Sequence, residues 1–144
     1  EAFEIPLIVH YPKKIKAKTD DLLISVPDYM PTMLGLMGLG ENIPKTVEGK
    51  DYSNVFFNRP VERPDKQLYF GSEPSAPSSG TRGFKNRQYT FAVLKVDGGK
   101  KIYHLYDDQA DPYQMKNIWG HNPELDKQLE QELTQLLKSM NDPW

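Results

Sequence analysis

Few side chains in this sequence have the type and spacing that catalysis or ligand binding requires. Its histidines stand at 10, 104 and 121, too scattered to compose a nucleophile–base triad or the paired spacing of a zinc site. His10 lies in an apolar run with no second histidine or carboxylate at ligand spacing, and it reads as a hydrogen-bonded interior or rim histidine. Two acidic pairs, Asp20-Asp21 and Asp107-Asp108, carry hard oxygen donors. A calcium ion takes about six to eight such donors, and neither pair is accompanied by the rest. Asp107, Asp108, Asp111 and Pro112 read instead as a cluster of turn formers. The chain has no cysteine, hence no thiolate nucleophile and no disulfide framework. These residue types assign no catalytic group and no metal ligand to this chain. Arg82 is the one candidate binding residue, because a guanidinium can clamp an oxyanion through two parallel hydrogen bonds. It closes Glu73–Arg82, whose first part is rich in proline, serine and glycine, the composition of an exposed loop where binding groups concentrate. The competing reading of Arg82 is a surface ion pair of small energetic weight.

The elements that must carry these groups are organised around Lys101–Asn117. Ile102, His104 and Tyr106 alternate with Tyr103 and Leu105, the period of a half-buried strand. The aspartate cluster stops that strand. Tyr113, Met115 and Ile118 are expected to tuck back under the sheet, with Asn117 bonding a nearby backbone group. Upstream, Arg82–Val93 reads as a strand, a tight turn at Lys85–Arg87 and a second strand, and Val96–Lys100 closes a hairpin onto Lys101–Tyr106. Gln67–Ser72 reads as a further strand and Glu73–Gly80 as an exposed loop. Downstream, Asn122 is a cap and Pro123 the first residue of a helix expected over 122–141. Leu125, Leu129, Leu133, Leu136, Leu137 and Met140 form one apolar stripe on it. Such a helix does not hold alone in water, so it must lie across the antiparallel sheet.

The N-terminal part is of another kind. Ile5–Pro12 is a continuous apolar run, suited to a strand covered on both faces. Lys13, Lys14, Lys16 and Lys18 make a basic loop that reads as a solvated connection. Ser25-Val26-Pro27-Asp28 has the form of a helix start. Pro31 would break a helix interior, so a 3₁₀ turn at Val26–Asp28 is expected, with α-helix from about Tyr29. Met30, Met33, Leu34 and Met37 form its apolar face. The proline-bearing passage Asn58–Asp65 reads as a linker, dividing the chain into 1–62 and 63–144. A net charge of −2 gives no reason to expect nucleic acid, and no apolar run approaches the about 18 residues of a membrane span. Because it opens at Glu1 inside an apolar segment, the chain reads as a fragment of something longer.

Several segments, in order, carry a resemblance. Leu105-Tyr106-Asp107, then Asp111-Pro112-Tyr113-Gln114 and Asn117, resemble the signature near the C-terminus of type I sulfatases, in the alkaline-phosphatase-like superfamily. Ser25, Asp28, Pro31, Thr32, Leu34, Leu36 and Gly38 resemble a helix of that family, and Pro44 with Glu48–Ser53 the stretch that follows it. Arg82, Arg87 and Tyr89–Ala92 resemble a segment common in bacterial sulfatases, departing from it at Phe84-Lys85-Asn86. The resemblance runs from Phe3 to Pro143. It implies an α/β protein in which residues 1–62 are the last strand and helix of a sulfatase α/β domain. Residues 63–144 would then be a small antiparallel sheet packed against a long C-terminal helix. It implies a parent that hydrolyses sulfuric esters, of an aryl sulfate or a sulfated carbohydrate, with calcium and a formylglycine made from a Cys/Ser-x-Pro-x-Arg motif. Ser72-Glu73-Pro74-Ser75 lacks that arginine, so nucleophile and metal would lie upstream of Glu1. This chain would be inactive alone, its partner the N-terminal catalytic part of the same protein. Arg82 would then face a sulfate or a sugar carboxylate at the rim of the cleft, and the protein would be periplasmic or secreted. Two alternatives stay open: a related phosphodiesterase or phosphatase-like member of the superfamily, and a stand-alone, non-catalytic binding module.

Overall fold

The computed structural model describes residues 5–73, 76–96 and 99–144. Backbone contacts divide these into two compact units, Ile5–Gln67 and Leu68–Trp144.

In the second unit, β1 (Gln67–Glu73), β2 (Ala76–Lys85), β3 (Tyr89–Lys95) and β4 (Lys101–Asp107) form one sheet in sequence order. β2 and β4 both run antiparallel to β3, with Phe84 opposite Phe91 and Phe91 opposite Leu105. Alternation therefore puts Phe84, Phe91, Val93 and Leu105 on one face, where Leu129, Leu133 and Leu137 of α3 (Pro123–Ser139) complete the core. Each such leucine, fully buried, is worth roughly 1.5–3 kcal/mol relative to water. Asn122 caps α3 by accepting from the Leu125 N–H at 3.3 Å. Asn141, at φ 54°, ends it in the left-handed region, and the Asp142 N–H turns back to the Leu137 carbonyl at 3.0 Å.

Four expectations for this unit need correcting. The stretch read as the exposed loop Glu73–Gly80 is strand from Ala76 onward, because pairing of Gly80 with Lys95 supplies a ladder that composition does not reveal; Pro74 and Ser75 lie outside the described residues. The tight turn begins one residue later than Lys85, which is the last residue of β2. Tyr113 and Met115 are exposed rather than tucked under the sheet: Gln114 between them points inward, so its neighbours point out. Met140 is exposed because α3 stops at Ser139. Ile118 does pack on the core.

In the first unit, α1 (Val26–Met37) is α-helical from its first residue, without the 3₁₀ turn expected there. The Asp28 carboxylate accepts from the Ser25 N–H at 2.9 Å and stabilises that start. Pro31 sits inside the helix, and the Pro27 carbonyl it leaves without a donor lies against Gly49. A Cβ on Gly49 would be 1.9 Å from that oxygen, so only glycine fits. Beyond it, α2 (Ser53–Phe56) brings Val55 beside Tyr52 and Ile24 in a small core. Ile5–Pro12 is not a strand. No strand runs beside it among the described residues, and a strand exists only where a neighbour completes its ladder. Ile5, Ile8 and His10 are exposed, which corrects the interior or rim placement of His10. No helix among the described residues is long and apolar enough to cross a membrane.

Candidate functional site

The Asp107-Asp108 pair separates into two roles. Asp107 performs the turn chemistry expected of it, its Oδ1 accepting from the N–H groups of Gln109 at 3.0 Å and Ala110 at 3.1 Å. The bond from Ala110 holds its carboxyl below the usual range. Asp108 turns onto the sheet face opposite α3. Its Oδ2 accepts from Lys85 Nζ at 2.5 Å and Thr90 Oγ1 at 2.7 Å, and its Oδ1 from Gln114 Nε2 at 2.8 Å. Gln114 Nε2 also reaches Thr90 Oγ1 at 3.0 Å. Gln114 has φ 55°, an unusual conformation that these bonds fix. Sequence reasoning missed this cluster. The available signal was register: Lys85 pairs with Thr90 and Thr90 with Tyr106, two residues short of Asp108.

Asn117 does what its position suggested. Its Oδ1 accepts from the Leu105 N–H at 3.0 Å and the Trp119 N–H at 3.1 Å, and its Nδ2 donates to the Tyr103 carbonyl at 2.9 Å. These bonds occupy the outer edge of β4, which would otherwise invite another strand. Trp119 stacks on Tyr103 at 4.1 Å between ring centroids. The Tyr103 hydroxyl donates to Glu130 of α3 at 2.7 Å, and burial together with that carboxylate pushes its pKa up to about 12.

Arg82 is not on an exposed loop. It lies on β2, 4% exposed. Its Nε donates to Asp142 Oδ2 at 2.9 Å, Nη1 donates to the Thr81 carbonyl at 3.1 Å, and the guanidinium stands 5.2 Å from the Phe70 ring centroid. Next to it, Trp144 Nε1 donates to the Gly80 carbonyl at 3.0 Å. The segment after α3 is thus tied to the start of β2.

The remaining candidates stay apart. His10 is exposed in the first unit, His104 is half-buried on β4 opposite Ala92, and His121 is exposed just before α3. Asp20 pairs with Lys18 at 3.0 Å and with Arg63, which also reaches Asp21 at 2.9 Å. Burial raises the Asp20 carboxyl, but the bonds from Arg63 and Lys18 outweigh it and leave it lowered. Among the described residues no three His, Cys, Asp or Glu side chains are grouped to hold a metal. With no cysteine and no Cys/Ser-x-Pro-x-Arg motif either, the calcium and formylglycine implied by the resemblance do not fit these residues. What the clusters can do is position backbone.

Comparison with known proteins agrees with the sequence motifs. A family model described as N-sulphoglucosamine sulphohydrolase, C-terminal, matches residues 1–141. An endo-4-O-sulfatase of Bacteroides thetaiotaomicron is 39% identical over all of this chain and 31% of its own length. An ulvan-active sulfatase of Formosa agariphila is 31% identical over 99% of this chain and 28% of its own length. The chain thus spans under a third of these relatives. A solved Bacteroides thetaiotaomicron structure, from work on glycosaminoglycan metabolism, superposes with a TM-score of 0.75 at 37% identity, covering 93% of this chain and 30% of that one.

Proposed function

This chain belongs to the N-sulphoglucosamine sulphohydrolase C-terminal family, and from that premise we propose that it is the non-catalytic C-terminal portion of a sulfatase acting on a sulfated carbohydrate. The observation that carries the reading is the direction of the motif residues. Asp107, Asp108, Gln114 and Asn117 all bond within the chain, holding the end of the sheet and the edge of β4. Formylglycine and calcium belong, in this reading, to the rest of the polypeptide, as does the chemistry of sulfate-ester cleavage. The named activities of the relatives support a polysaccharide sulfate ester as the substrate class. Export to the periplasm or beyond is part of the same proposal, and cell fractionation tests it.

The test of function is turnover. The longer protein, with its nucleophile matured, should hydrolyse an aryl sulfate and a sulfated polysaccharide, and the 144-residue chain should hydrolyse neither. Metal-dependent hydrolysis by the chain alone would overturn the assignment. Hydrolysis of phosphate but not sulfate esters by the longer protein would favour the phosphatase-like alternative.

Substrate contact by Arg82 would require the bond to Asp142 to open. Loss of a remote substrate contact raises KM for the larger substrate selectively. The buried pair supports a structural role instead, so Arg82→Ala in the longer protein should lower Tm and leave the ratio of KM values for sulfated sugar and aryl sulfate unchanged. A selective rise in KM for the sugar would return Arg82 to the substrate.

A further inference from the structure

We propose that Lys95 and Lys101, which meet over the Trp144 ring at the β3–β4 hairpin, bind a sulfate group of the carbohydrate substrate, with Lys100 beside them. The inference rests on the reading above and deepens it by naming a contact for the sulfated chain. Lys95 stands directly opposite Lys101 in the β3–β4 ladder, and like charges so placed repel. Among the described residues Lys95 meets no carboxylate. Its contact is the Trp144 ring, whose centroid lies 5.4 Å from Nζ. Lys101 Nζ lies 5.5 Å from the same centroid. It reaches Glu130 Oε1 only at 3.5 Å, with the two side chains 41% and 40% exposed, a pair of small weight. That oxygen already accepts from the Tyr103 hydroxyl at 2.7 Å. Lys100 is exposed, and its carbonyl accepts from the Val96 N–H at 2.9 Å, which closes the hairpin and fixes its place. Three positive charges on one short hairpin are thus answered, among the described residues, by one weak ion pair.

The indole is what holds the two ammonium groups together. Its face is electron-rich and attracts cations, and its position is fixed. Trp144 Nε1 donates to the Gly80 carbonyl at 3.0 Å, its main-chain N–H donates to Asp142 Oδ1 at 2.8 Å, and the side chain packs against the core. A ring attracts cations without neutralising them, so the site keeps its positive charge and its ammonium donors. A sulfate ester supplies what is missing: a negative charge spread over several oxygens, each able to accept from a different lysine. Lysine suits the task, since its compact ammonium presents donors in any direction. A nucleic acid is the weaker ligand, because the chain as a whole carries a net charge of −2 and would repel an extended polyphosphate.

Titration calorimetry of the longer protein with chondroitin sulfate tests this directly. The double variant Lys95→Gln/Lys101→Gln should raise Kd about tenfold or more, since two charge-assisted contacts are lost. Lys95→Arg/Lys101→Arg keeps the charge and should stay within about threefold of the unaltered protein. Chondroitin stripped of its sulfate, which retains its carboxylates, should bind the unaltered protein and the Gln variant alike. An unchanged Kd for the sulfated polymer would overturn the proposal. So would an equal loss for the desulfated polymer, which would make a carboxylate the ligand, or duplex DNA bound as tightly as the sulfated polymer, which would mark an unselective polyanion patch. A loss shared by the Arg variant would trace to the fold rather than to charge and would overturn it too. Lys95→Gln alone relieves the repulsion and should leave Tm in place or raise it; a lowered Tm with an unchanged Kd would make the lysines a staple for Trp144. Turnover of an aryl sulfate by the unaltered longer protein is read separately. Selective loss of binding without any turnover would sink the functional reading and leave the site standing, and turnover with unchanged binding would do the reverse.

Discussion

Lys85 and Asp108 are separated by 22 intervening residues, yet their charged atoms lie 2.5 Å apart with both side chains largely buried. A buried pair of this kind contributes little net stability against apolar replacements of similar size, but removing one partner strands the other charge. Asp108→Asn should therefore destabilise the second unit by roughly 3–5 kcal/mol, whereas Lys85→Met with Asp108→Leu should recover most of that loss. Thermal melts of the two variants decide it, and equal losses would mean that the hydrogen bonds of Thr90 and Gln114 dominate. Tyr103 makes a prediction in pH. Its folded pKa is raised from 10.0 to about 12 by burial and then by Glu130, so the native state favours the neutral phenol. The stability from this group is fully present below about pH 10 and is lost as pH rises towards 12. Tyr103→Phe should flatten that alkaline limb of the stability profile, and an unchanged limb would place the titration elsewhere. Asp107 acts on the acid side: its lowered carboxyl contributes stability present above the ordinary carboxylate range and lost as pH falls through its folded pKa.

Among the elements, α3 is the one whose packing could be read most directly. Leu129, Leu133 and Leu137 recur at every fourth residue and are buried, with Leu125 and Leu136 at the margins. Leu133→Asp places an unpaired charge at the middle of that contact and should cost roughly 3–5 kcal/mol, releasing α3 from the sheet. A Tm unchanged within error would show that the stripe does not hold α3 down. α1 was read less well. Proline inside a helix suggested a break, but the helix continues through Pro31, and the Pro27 carbonyl left without an intrahelical donor lies against Gly49. Gly49→Ala should accordingly destabilise the first unit, since its Cβ would meet backbone rather than a movable side chain.

At the scale of the whole chain, the two units differ in how much apolar surface they enclose. Among the described residues, the second has a core cluster of seven buried residues joining sheet and helix, and the first has a cluster of three with Leu36 buried apart from it. Local opening costs least where few apolar contacts must be broken. Hydrogen exchange on the 144-residue chain should therefore protect the amides of β3, β4 and α3 most strongly and those of 5–25 and α1 weakly. Uniform protection across both units would contradict this.

What the sequence determined by itself is local or periodic. Asn122 at the start of α3, the alternation of β4, the β3–β4 hairpin and the turn bonds of Asp107 all depend on near neighbours, and each follows from residue type and spacing. The family motifs were legible for the same reason, being short strings in a constant order. Only the tertiary structure decided which aspartate of the pair meets Lys85, that Arg82 is held by Asp142 after α3, and that Ile5–Pro12 is no strand in this chain. The physical reason is common to all three. Register and long-range pairing bring together groups up to 64 residues apart, and a strand or an ion pair exists only when its partner is present.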